Sequence, residues 1–129
     1  EGSFRMIQSM KYRFIPPKSK PKDIFKYLCT DFPDEMLRII KEGCLGDQAK
    51  FGSFLVGYKN RLFEFDDDLQ VGENINCMAS IGAGADIALG SLYTSKGSGL
   101  TADQRIIKAL EASAYYCTSV AKPFRLVNT

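Results

Sequence analysis

The 129 residues carry 17 Lys and Arg against 15 Asp and Glu, a net charge of +2, with 45% apolar and 25% charged side chains. These proportions exclude a disordered or low-complexity chain and supply no electrostatic footprint for nucleic acid. No window approaches the roughly 18 apolar residues of a membrane span and the amino end lacks signal-peptide architecture, so a single cytoplasmic domain, residues 1–129, with no membrane partner is expected.

The chain has no His, which excludes triads built on an imidazole base and most zinc sites. Its cysteines, Cys29, Cys44, Cys77 and Cys117, are 15, 33 and 40 residues apart without Cys-x-x-Cys pairing. Reduced, mostly buried thiols are expected in preference to two disulfides.

Taken from the start, Phe4, Ile7, Met10 and Phe14 form a helical stripe with Ser3 as N-cap, stopped by Pro16-Pro17. A chain seldom opens directly on a core helix, so a leading segment is expected to precede it. Lys18-Ser19-Lys20-Pro21-Lys22 is a basic, proline-broken connection that reads as a solvated loop in preference to a phosphate patch. Residues 23–28 are expected to be helical, with Ile24, Tyr27 and Leu28 on one side. Phe32-Pro33-Asp34 interrupts, Asp34 caps a helix over 35–41, and Gly43 ends it at the C′ position.

The period then changes. Residues 51–58 read as a strand, Lys59-Asn60 as a tight turn and residues 61–65 as the returning strand of a hairpin. Asp66-Asp67-Asp68 is read as a charged strand exit, because three adjacent carboxylates converge poorly on one metal and no calcium-loop spacing follows. Leu69-Gln70-Val71 suggests a short strand and residues 71–74 a turn. Residues 76–81 suggest a further strand, leading through Gly82-Ala83-Gly84 into a helix over 85–93 that packs closely through Gly90. That glycine turn lacks both the Gly-x-Gly-x-x-Gly fingerprint and a P-loop ending, although amide groups at the helix start can receive an anion or polarise a carbonyl. Thr101 and Gln104 form a capping box for a long helix through Ile106, Ile107, Leu110, Ala114 and Cys117, ended by Pro123, and residues 124–127 read as a last strand. Antiparallel strands with helices on a face define an α+β class.

Three stretches together resemble the distal half of proteasome β-type subunits, including the bacterial HslV-like branch. They are Phe54-Leu55-Val56-Gly57-Tyr58-Lys59-Asn60-Arg61-Leu62-Phe63-Glu64-Phe65, then Ala79-Ser80-Ile81-Gly82-Ala83-Gly84 with Ala88-Leu89-Gly90, then the helix Leu100-Thr101-Ala102-Asp103-Gln104-Arg105-Ile106-Ile107-Lys108-Ala109-Leu110-Glu111. The resemblance implies a four-layer αββα N-terminal-nucleophile hydrolase sandwich with antiparallel sheets, amino-terminally incomplete and lacking its first strands. In that family a threonine exposed by self-cleavage attacks the peptide bond and its own α-amine is the base, assisted by an aspartate and a lysine on those strands. None of these groups lies in this segment, which is therefore expected to be inactive alone.

The turn Gly82, Ala83, Gly84 is implied to sit beside the nucleophile, with Ala83 where the family usually has a serine. Tyr115 stands where the long helix usually carries an aspartate. No cofactor is implied beyond a monovalent cation such as sodium, held by the backbone carbonyls of Ala114, Cys117 and Val120. Implied partners are further copies in a ring, an ATP-dependent unfoldase and a polypeptide substrate. The leading expectation is a proteasome-like threonine peptidase subunit. The alternatives are an inactive structural or regulatory homologue, for which Ala83 and Tyr115 speak, and a small-molecule amide hydrolase of the same fold.

Overall fold

A computed structural model describes residues 4–43 and 51–128, so Ser3 and Cys44 lie outside the described residues. The chain is mixed α+β, in two compact units, Glu1–Glu73 and Asn74–Thr129. No described helix is long and apolar enough to cross a membrane.

The first unit opens with α1 (Phe4–Arg13), α2 (Ile24–Cys29) and α3 (Asp31–Glu42). In α1 the inward stripe is Met6, Met10 and Phe14, at i, i+4 and i+8, and Ile7, expected inside, is more than half exposed. Asp23 caps α2 by accepting from the Lys26 amide at 3.1 Å. Ile24 and Leu28 are buried beneath it.

Helix α3 starts earlier than expected. Pro33 sits inside its first turn rather than before it, where the missing N–H is one of the groups that has no helical partner anyway. Asp31 and Asp34 place negative charge in that turn, which the helix dipole favours. Gly43 caps the far end with φ −76°, so it is a right-handed C-cap and not the left-handed C′ residue expected.

Three strands follow as an antiparallel meander, β1 (Phe54–Tyr58), β2 (Arg61–Phe65) and β3 (Val71–Glu73). The expected hairpin is present, with Phe54 opposite Phe65 and Tyr58 opposite Arg61. Lys59 and Asn60 take φ of 46° and 61°, the pair of positive values a two-residue turn of primed type requires. The acidic run makes the second turn. Asp66 and Leu69 close it through backbone bonds, and the Asp68 carboxylate accepts from the Gln70 amide and side chain at 2.9 and 2.8 Å. Residues 71–73, expected as a turn, are strand β3 instead, because Leu69 at φ 68° completes the reversal before them.

Alternation gives the sheet two unlike faces. Phe54, Val56, Tyr58, Phe63, Phe65 and Val71 pack on the helices. Leu55, Gly57, Leu62, Glu64 and Gly72 occupy the other face and do not belong to that core. Phe32 joins helices to sheet, with its ring centroid 5.1 Å from that of Phe65 and 5.8 Å from that of Phe14. Full burial of a ring such as Phe63 or Phe65 contributes on the order of 1.5–3 kcal/mol.

The second unit contains α4 (Ala85–Thr94) and α5 (Ala102–Tyr116). They run antiparallel, since Arg105 near the start of α5 donates to Leu92 O at the end of α4 while Ser113 near the end of α5 meets Gly84 at the start of α4. Two expected strands are absent among the described residues. At 76–81 a turn closes from the Cys77 amide to Asn74 O, with Cys77 at φ 51°, and positive φ interrupts an extended run. Residues 124–127 have no strand among the described residues of this unit to pair with.

Gly90 is exposed, and a Cβ there would meet nothing within 4 Å, so the close packing expected at Gly90 falls elsewhere. Helix α5 ends at Tyr116, well before Pro123, where Cys117, Thr118, Ser119 and Val120 are all poor helix formers. Cys29 and Cys117 form no disulfide, and Cys29, expected to be buried, is exposed.

Candidate functional site

The glycine turn meets α5 at one end of the α4/α5 pair. Gly82, at φ 99°, reverses the chain and its carbonyl accepts from the Ala85 amide at 3.0 Å. Gly84 follows as the N-cap of α4 and is buried. A Cβ on Gly84 would lie 2.9 Å from Ser113 Cβ and 2.9 Å from Val120 Cγ2, so only glycine lets the turn approach α5 this closely.

Ser113 is the residue that fixes the contact, and the sequence reading missed it. It is 2% exposed, and its hydroxyl lies 3.0 Å from both Gly84 O and Ala109 O. One hydroxyl carries one proton, so the two carbonyls share a single donor. Its signal in the sequence was the Ala109/Ser113 pair at i, i+4, a small-residue seam along α5.

Ala83, between the two glycines, is exposed, so the turn presents a methyl group and backbone to solvent. Tyr115 is 81% exposed, with its ring edge-on to Tyr116 at 4.8 Å between centroids. Neither Ala83 nor Tyr115 brings a carboxylate to the turn.

Ala114, Cys117 and Val120, expected to offer carbonyls to a cation, are all half-buried along the last turn of α5 and the turn after it. The Cys117 carbonyl accepts from the Val120 amide at 3.1 Å, which leaves one lone pair for another partner. Val120 also walls the glycine turn through its Cγ2. Among the described residues no three Cys, Asp or Glu side chains are grouped as metal ligands.

The opposite end of the pair is held by Arg105, also missed from sequence. Its guanidinium donates to Leu92 O at 2.6 Å, a carbonyl that the end of α4 leaves open, and to Ser95 Oγ at 3.2 Å. The two ends differ in character, one sealed by a charged cap and the other by a glycine–serine contact.

The chain matches no protein-family model, no curated protein and no solved structure.

Proposed function

We propose that this chain is the distal portion of a cytoplasmic proteasome-like N-terminal-nucleophile peptidase subunit, whose nucleophile lies outside the segment. The observation that carries the reading is the two-faced sheet. Helices cover the Phe63/Phe65 face, and the other face presents Leu55, Leu62 and the side-chain-free Gly57 and Gly72. A face with two leucines and two glycines, interrupted by Glu64 alone, suits a second sheet packed about 10 Å away, as in the inner layers of an αββα sandwich. The glycine turn held against α5 through Ser113 agrees with the resembled family's turn beside the nucleophile. In this reading the carbonyls of Ala114, Cys117 and Val120 are open to a monovalent cation, and the partners are further copies in a ring, an ATP-dependent unfoldase and a polypeptide substrate.

A second reading, a non-catalytic subunit of the same fold, is favoured by Ala83 and Tyr115. Both are exposed where the resembled peptidases place a serine and an aspartate. One experiment separates the two. The intact gene product is purified, its mature amino terminus is read by mass spectrometry, and a fluorogenic peptide is supplied. A terminal Thr, Ser or Cys with turnover lost on its replacement by Ala is the expected result. An intact product with no such terminus and no turnover overturns the peptidase in favour of the non-catalytic subunit.

A further inference from the structure

We propose that the first unit carries a phosphate-binding cleft between the loop before α2 and the tip of the β1–β2 hairpin. This rests on residues remote in sequence from the glycine turn and does not depend on the peptidase reading. The cleft encloses about 410 Å³, with Pro21, Lys22 and Asp23 on one wall and Tyr58, Lys59 and Arg61 on the other. Its charge is unbalanced: three cationic side chains face the carboxylates of Asp23 and, behind Arg61, Glu73.

Both carboxylates have partners, and three cations against two anions leave the cleft one net positive charge. Asp23 Oδ1 accepts from the Lys26 amide at 3.1 Å. Glu73 takes Nε and Nη2 of Arg61 at 2.6 Å each, and the guanidinium carbon lies 5.0 Å from the Phe63 ring centroid. Arg61 is therefore fixed in orientation, and three of its five N–H groups remain for another acceptor. Neither Lys22 nor Lys59 makes an ion pair among the described residues. Lys59 Nζ rests 5.4 Å from the Tyr58 ring centroid, next to the cleft.

A second feature points the same way. Tyr58, which lines the cleft, carries a buried hydroxyl with no hydrogen-bond partner, an arrangement that a native structure tolerates seldom. Two ammonium groups and an oriented guanidinium, arriving from separate walls, suit a compact tetrahedral dianion better than a planar carboxylate. The ligand is a phosphate group, free or carried on a small ester.

The test is a titration of the 129-residue chain, followed by amide NMR, with inorganic phosphate, with ribose 5-phosphate, and with chloride at matched ionic strength. Saturable shifts confined to residues 22–24 and 58–61 are expected with phosphate or its ester. Tighter binding of the ester identifies an organic phosphate, and equal or weaker binding identifies the free anion. The double variant Lys22→Ala/Lys59→Ala should weaken binding about fivefold, the worth of two exposed charge contacts. Lys59→Arg, which keeps the charge, should leave binding within about twofold and serves should the double variant fail to fold. Shifts reproduced by chloride, shifts that never saturate, or unchanged binding by the folded double variant would overturn the proposal.

Discussion

A single carboxylate does much of the work of fixing the first helix. Glu35 accepts from the Ile15 amide at 2.9 Å and from Arg38 at 2.8 and 2.6 Å, and Arg38 donates onward to Arg13 O at 2.8 Å. The chain leaving α1 is thereby tied to α3. Its hydrogen bonds from Arg38, helped by the Ile15 amide and the guanidinium charge, hold the Glu35 carboxyl at about 2, down from 4.5. The Arg38 guanidinium is pushed up in turn by Glu35 and Glu42. A depressed carboxylate stabilises the fold fully above its unfolded value and loses that contribution as pH falls through the folded one. Stability should therefore fall between pH 4.5 and about 2, and Glu35→Gln should flatten that part of a denaturant-midpoint profile. An unchanged slope in the variant would show that other carboxylates set the acid limb. Two further side-chain tests separate packing from polarity. Gly84→Ala forces a Cβ to within 2.9 Å of Ser113 Cβ, and should cost about 1–3 kcal/mol in urea unfolding. Tyr58→Phe removes a buried hydroxyl without a partner, and in the absence of phosphate should be neutral or stabilising in the same measurement.

Elements show which parts of the fold are written locally. The α5 start is the clearest, with the Gln104 amide donating to Thr101 Oγ1 at 3.2 Å and the Thr101 amide to Gln104 Oε1 at 2.9 Å. Four residues contain the whole signal, so the capping box was legible, and Thr101→Ala should cost about 1 kcal/mol in thermal unfolding. The 59–60 turn was legible for the same reason, since its conformation and the alternation around it are short-range. The misread segments fail on a shared point. Apolar residues at 76–81 and 124–127 have the composition of strands, but a strand is made by a paired edge, and composition cannot supply one. Pro33 was read as an interruption because its missing N–H is fatal only in a helix interior, not in the first turn it occupies. At the candidate site, Gly82 and Gly84 announce a turn, whereas Ser113 depends on how two helices cross and leaves only a small-residue seam in the sequence. The cleft at Lys22 and Lys59 is assembled across a gap of more than 30 residues, so the basic 18–22 stretch shows only one of its walls and reads alone as a solvated loop.

On the scale of the whole molecule, the two units are unequal in apolar burial. The first assembles nine buried apolar residues, with Phe63, Phe65, Met36 and Ile39 fully enclosed. Among the described residues of the second, only Ala88 and Ala109 are buried apolar side chains, while Ile75, Tyr93, Tyr115, Tyr116 and Val127 are each at least 70% exposed. Exposed apolar area of this kind commonly belongs to a surface that meets a partner. The peptidase proposal supplies one, in the form of absent strands or neighbouring copies, and it predicts concentration-dependent association of the 129-residue chain. Light scattering over a concentration series should show mass rising above 14.4 kDa, with unfolding of α4 and α5 at lower denaturant than the sheet unit in the dilute samples. A dispersed 14.4 kDa species that unfolds in one cooperative step at every concentration would show that the helix pair needs no cover, and would remove the assembly on which the ring part of the proposal depends.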